Sequence, residues 1–196
     1  MVEISYIRPS KDGKLLLLGT VGEGESRRYT ISAQVYASIG SPAAHTPIDE
    51  RSFEVIKYAD ELYRAEKKAL SLLAFADNNE RTLYQKLSRA GFSRDVSEEI
   101  AKKMVSLGYI NERRQLERLI LNEANYKLRG PLKIMPYLVA KGYSSHEVRV
   151  VLDELQERGE IDFSENSKRL IDKKLGDGAT EDDKKKLLYK NGYKIC

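Results

Sequence analysis

The chain has 196 residues, of which 41% are hydrophobic and 33% are charged, and its formal net charge is +4. This length supplies one large core or two modest ones, and the low hydrophobic fraction favours an elongated or repetitive shape over a single compact globule. Its longest aliphatic run, 15–18, is far shorter than the roughly 20 residues that span a bilayer, and the single cysteine, Cys196, excludes an internal disulfide. We therefore expect a cytoplasmic protein.

The N-terminal residues 1–45 have the pattern of a small antiparallel sheet. Val2, Ile4 and Tyr6 alternate with polar residues, and the turn at 12–13 separates them from two further short strands. A short helix is predicted over 32–39.

The next segment, 46–78, is predicted to contain one or two connecting helices. Thr46 is a suitable cap, Pro47 suits the first helical position, and an apolar stripe follows at helical spacing.

From residue 79 onward the sequence repeats itself with a period of about 51 residues. "LSRAGFS" at 87–93 returns as "LVAKGYS" at 138–144 and in shortened form as "LLYKNGY" at 187–193. Repeats of this length are typically stacked helical units, so we predict a mainly α protein built from tandem three-helix repeats. The predicted repeats are 79–110, 111–161 and 162–196, the last of which lacks its final helix.

The repeated phrase has the pattern of a helix corner. Glycine is the residue that most freely adopts the left-handed conformation ending a helix in the Schellman motif. With Gly142 in that position, Leu138 and Tyr143 contact each other across the cap. Ser144 and Glu147 then form a capping box for the next helix. The resulting helices are predicted at 80–90, 94–107, 111–128, 131–141, 145–158, 165–175 and 180–190.

The sequence offers little support for an enzyme. The two histidines, His45 and His146, have no cysteine or spaced partner that would form a zinc site or a nucleophile pair, and the glycines at 19, 22 and 24 do not form a phosphate-binding pattern. We expect neither a catalytic site nor a cofactor nor a metal.

Basic residues are concentrated in the second part of the chain. The first 64 residues carry 8 basic and 9 acidic side chains, and the remainder carries 26 and 21. The helix over 145–158 is net acidic, so DNA readout by that helix, as in a helix-turn-helix, is disfavoured. We expect the cations of the other helices to face an acidic protein groove or a nucleic-acid backbone, although ordinary exposed faces of amphipathic helices would account for about half of them without any partner. Several tyrosines, including Tyr137, lie among these cations, where aromatic rings stack on bases in other proteins.

Three segments in this order resemble the RecX family, bacterial regulators of the recombinase RecA. They are "ALSLLAFADNNERTLYQKLSRAGFS", "LGYINERRQLERLI" and "RGPLKIMPYLVAKGYSSHEV". The resemblance covers residues 60–171 and implies a curved, elongated array of three-helix units in the groove of the RecA filament on single-stranded DNA. It implies a monomer that modulates, and we expect inhibits, ATP hydrolysis, strand exchange and coprotease activity in DNA repair, homologous recombination and the SOS response. The alternative is a nucleic-acid-binding helical module that acts without RecA.

The resemblance also implies a set of basic contact residues for RecA or DNA. These are Arg81, Lys86, Arg89, Arg113, Arg114, Arg118, Lys127, Arg129, Lys133 and Lys141.

Overall fold

The computed structural model describes residues 2–22, 25–176 and 178–194. The chain forms two compact units, one made of residues 1–76 and 83–106 and the other of 77–82 and 107–196. It is mainly helical with a small N-terminal antiparallel sheet, as predicted. Within the described ranges, no helix is both long enough and apolar enough to cross a membrane. The boundaries of the three sequence repeats remain a prediction.

The first unit opens with a four-stranded sheet. Its strands are β1 (Val2–Pro9), β2 (Leu15–Gly22), β3 (Glu25–Ser32) and β4 (Pro47–Ile48), in the order β3-β2-β1-β4 with antiparallel pairing throughout. The short helix α1 (Ala33–Ser38) follows β3, and the side chain of Ser32 caps it. A core of aliphatic side chains holds the sheet against the following helix. Its fully or largely buried members include Ile4, Leu18, Ile31, Ile48 and Ile56.

The predicted start of the connecting helix at Pro47 is wrong. Pro47 pairs with Glu3 as part of β4, and Ile48 is buried in the sheet core, which fixes this segment as a strand. The helix instead begins after Asp49, whose carboxylate accepts a hydrogen bond from the backbone N–H of Ser52 at 2.8 Å. It runs without a break as α2 (Glu50–Phe75).

In the part of the chain that the structure describes, seven further α-helices follow, close to the predicted positions. They are α3 (Glu80–Arg89), α4 (Arg94–Ser106), α5 (Glu112–Leu121), α6 (Pro131–Ala140), α7 (Ser145–Glu157), α8 (Phe163–Lys174) and α9 (Glu181–Lys190). The predicted helix 111–128 is wrong at its C-terminal end, because α5 passes into a π-helical turn at Asn122–Tyr126. Leu128 then adopts a left-handed conformation with φ of 53°, which α-helical geometry does not allow.

The predicted glycine corners are confirmed. Gly142 has φ of 103°, and the backbone N–H of Tyr143 donates to the carbonyl of Leu138 at 3.3 Å, as in a Schellman motif. Ser144 and Glu147 form the predicted capping box at the start of α7. The same hydrogen bond recurs from Phe92 to Leu87 and from Tyr193 to Leu188.

In the second unit, the corner after α9 also caps the start of α6. No side chain caps α6, which begins after Gly130. Instead, the N–H of Gly130 donates to the Asn191 carbonyl at 2.8 Å, and that of Leu132 donates to the Gly192 carbonyl at 3.1 Å. The backbones approach so closely that a Cβ on Gly192 would lie 2.6 Å from the Lys133 nitrogen.

We expect Gly192→Ala to lower the free energy of unfolding of the second unit by about 2 kcal/mol or more, because the methyl group overlaps the backbone of α6 at a left-handed position. Urea denaturation followed by circular dichroism measures this change. Gly176→Ala is the control, since a Cβ there meets no atom within 4 Å, and it should change stability by less than about 0.5 kcal/mol. Equal stability of the two variants would contradict the prediction.

Candidate functional site

The predicted contact residues are divided between the two units. Lys86 and Arg89, on α3, belong to the first unit, where Lys86 is half-buried and Arg89 is exposed. Arg81 and the other seven belong to the second unit. Lys86 and Arg89 share the last turn of α3, and the remaining eight are described within the second unit.

The arginines of α5 are largely engaged inside the second unit. Arg113 forms ion pairs with Glu154 of α7 and with Glu117, the latter at 3.4 Å, and Arg158 also approaches Glu117 at 3.5 Å. Arg118 forms an ion pair with Asp77. Arg113 and Arg118 thus meet carboxylates of their own unit, so these two cations require no external partner.

Arg114 differs from the other two arginines of α5. Its side chain is exposed, and no described carboxylate lies within ion-pair distance of it. Among the three, it is the cation most available to a partner.

A buried carboxylate organises the cations that follow α5. Glu123 lies in the π-helical turn and is completely buried. Its two carboxylate oxygens accept hydrogen bonds from Lys127 at 2.7 Å and from Arg129 at 2.5 Å. Burying a carboxylate costs free energy unless a cation pairs with it, so the fold requires Lys127 and Arg129. Both of these side chains are also partly exposed.

Three cations surround the ring of Tyr137 on α6. The Lys141 Nζ lies 5.1 Å from the ring centroid, the Arg129 Cζ 5.6 Å and the Lys127 Nζ 5.8 Å. All three are within the range of a cation–π interaction. With Glu123 as the single anion, this group has a net charge of +2.

Two more predicted cations extend this group. Lys133 precedes Tyr137 by one helical turn on α6 and is exposed. Arg81 is also exposed, and its Cδ lies 3.2 Å from the point where a Cβ on Gly142 would be, beside Lys141. Asn79 fixes this arrangement, because its side-chain amide donates to the Lys141 carbonyl at 3.0 Å. We call Arg81, Lys127, Arg129, Lys133 and Lys141 the α6 cationic patch.

A groove of about 170 Å³ lies between α5 and α7 in the same unit. Its floor includes Leu116 and Val151, and His146 and Glu112 are among the polar residues at its rim. Burial, with a contribution from the Glu112 carboxylate, raises the pKa of Tyr143 in this groove to about 12, so its hydroxyl stays protonated at neutral pH. In the part of the chain that the structure describes, no group of three or more His, Cys, Asp or Glu side chains is arranged to hold a metal ion.

Sequence reasoning missed the roles of Glu123 and Tyr137. The sequence gives no sign that Glu123 is buried, and it presents Tyr137 as one of several tyrosines among the cations. The spacing of Glu123 and Lys127, four residues apart, is a signal for a helical ion pair. The burial of Glu123 depends on the π-helical turn, for which the sequence carries no comparable signal.

No family model matches the chain, but curated relatives do. Proteins named "Regulatory protein RecX" are 29% identical over 132 residues in Clostridioides difficile strain 630 and 24% identical over 153 residues in Bacillus mycoides strain KBAB4. These matches cover 67% and 78% of this chain. The chain spans 60% and 55% of the length of these two relatives.

Two solved structures share the fold. The crystal structure of a regulatory protein RecX superimposes with a TM-score of 0.73 at 20% identity, covering 99% of this chain and 95% of that one. The crystal structure of RecX from Lactobacillus salivarius gives a TM-score of 0.58 at 20% identity, covering 69% of this chain and 90% of that one. Together with the sequence relatives, these structures confirm the predicted resemblance to the RecX family.

We expect Arg129→Met to destabilise the second unit by about 1–2 kcal/mol, because it leaves the buried Glu123 carboxylate with Lys127 alone. This expected loss of stability is smaller than the loss for a fully buried ion pair, since the Arg129 side chain is 34% exposed. Urea denaturation measures the effect.

A double-mutant cycle separates this ion pair from lost packing. In a Glu123→Gln background, Arg129→Met should cost about 1 kcal/mol less than in the natural sequence. An equal cost in both backgrounds would show that Arg129 stabilises the unit through packing alone.

Proposed function

We propose that this chain, a relative of proteins named regulatory protein RecX, is a regulator of the recombinase RecA. It binds RecA, or the RecA filament on single-stranded DNA, and inhibits ATP hydrolysis, strand exchange and coprotease activity. The observation that carries the proposal is the similarity to RecX proteins in both sequence and fold. We further propose that it acts in the cytoplasm as a monomer and without catalysing a reaction.

The α6 cationic patch supports this proposal by supplying cations that the fold does not fully neutralise. Lys133, Lys141 and Arg81 are exposed, and none has a described carboxylate within ion-pair distance. We propose these three, together with Arg114 and the α3 residues Lys86 and Arg89, as the contacts to RecA or DNA. Arg113 and Arg118 are assigned an internal role, because carboxylates of the same unit engage them.

Added to RecA on single-stranded DNA with ATP, the purified chain should lower the rate of ATP hydrolysis as its concentration rises, and it should co-sediment with the filament. A spectrophotometric ATPase assay and ultracentrifugation measure the two effects. An unchanged rate together with no co-sedimentation would refute the proposed function.

Direct binding to single-stranded nucleic acid is a second candidate function. The three cations around Tyr137 favour it, because such proteins combine aromatic stacking platforms with basic grooves that follow the phosphate backbone.

If this second function is correct, the chain binds a single-stranded oligonucleotide without RecA. Three phosphate contacts would give a slope of about −2 in log K against log salt concentration. Tyr137→Ala should weaken binding roughly tenfold through lost stacking, as measured by fluorescence anisotropy. Tyr63→Ala is the control, since Tyr63 is also half-buried but has one cation, Lys67, 5.5 Å from its ring. An affinity independent of salt would exclude this function.

A further inference from the structure

The outer face of α6 carries an apolar strip beside the cationic patch. Leu132, Pro136 and Val139 follow each other at i, i+4 and i+7, which places them on one side of the helix. All three are exposed, with Leu132 at 52% and Val139 at 40%, whereas Ile134 and Leu138 bury the opposite side in the core. We call Leu132, Pro136 and Val139 the α6 apolar strip.

Positively charged residues border one edge of the α6 apolar strip. Lys133 adjoins Leu132 in the sequence, and Tyr137 with its three surrounding cations occupies the next turn on the same edge. The helix itself contains no acidic residue. Single exposed apolar residues are ordinary, but an aligned row of them flanked by cations matches the composition of a protein-docking surface, with an apolar centre and a polar rim.

We infer that the α6 apolar strip and the adjoining cationic patch form one docking surface for an acidic amphipathic segment of the protein partner. Apolar side chains of that segment cover Leu132, Pro136 and Val139, and its carboxylates meet Lys133 and Lys141. Charge complementarity selects this occupant, because the helix offers cations and no acid. This inference rests on the proposed function and specifies the chemistry of its partner.

A nucleic acid accounts for this surface less well than a protein segment does. Phosphates would be attracted to the cations, but Leu132, Pro136 and Val139 offer no aromatic face on which a base could stack. The apolar strip would then remain exposed to water after binding. An apolar segment of a protein removes both the strip and its own apolar side chains from water, which is favourable.

The test compares two double variants in binding to RecA filaments on single-stranded DNA, by co-sedimentation with the full chain. Leu132→Ser with Val139→Ser should weaken binding at least about tenfold, as expected for central residues of an interface. The matched control is Leu107→Ser with Val55→Ser, because these residues are 56% and 37% exposed. It should bind within about twofold of the natural chain.

The charged edge is tested in the same assay. Lys133→Glu with Lys141→Glu should weaken binding and reduce its salt dependence, whereas Lys11→Glu with Lys168→Glu, at two other exposed lysines, should do neither. Circular dichroism melts establish that each variant is folded.

The outcomes distinguish the inference from the function on which it rests. If the natural chain binds RecA and the Leu132/Val139 variant binds equally well, the docking surface is wrong while the proposed function stands. If the natural chain does not bind RecA, both are overturned. If that variant retains RecA binding but loses affinity for free single-stranded DNA, the surface is a nucleic-acid interface and the inference is wrong.

Discussion

The helical part of this protein depends on a backbone conformation that few residues adopt easily. Each of α3, α4, α6, α7 and α9 is followed by a glycine with positive φ. At Gly142 this conformation allows the Tyr143 N–H to reach the Leu138 carbonyl, and both side chains then enter the same core cluster. Another residue in the left-handed region costs about 1 kcal/mol or more. The corner therefore sets the direction in which α7 leaves α6, and its residue Lys141 lies next to segment 77–82, where Asn79 donates to its carbonyl.

Local features of the fold were predictable from the sequence, and features that depend on distant residues were not. The glycine corners and the Ser144 capping box involve residues within six positions of one another, so a short phrase specifies them. The sequence predicts a helix at Pro47, because its neighbours suit a helix start. Its true place in β4 depends on pairing with β1, more than forty residues earlier in the chain. Similarly, the pairing of Arg113 with Glu154 spans 41 residues and carries no local signal.

Charged side chains of the second unit occur in two different arrangements. Opposite charges on α5 and α7 meet as Arg113–Glu154 and Arg158–Glu117 pairs, so the uneven composition of single helices reflects internal complementarity. Around Tyr137, in contrast, one buried carboxylate pairs with two of the three cations, Lys127 and Arg129, and the group keeps positive charge at the surface. Charge counts for single helices cannot separate these two cases, because the distinction depends on which side chains meet in space.

The corner after α9 caps the start of α6. Residues near the end of the described chain therefore stabilise the α6 surface without being part of it. The carbonyls of Asn191 and Gly192 satisfy the first backbone donors of α6, and no side chain is available to replace them. A premature stop codon before residue 191 would leave Leu132 and Lys133 in place but fray the first turn that holds them. The α6 surface would then lose its order through an indirect effect, and substitutions within that surface alone would not reveal the cause.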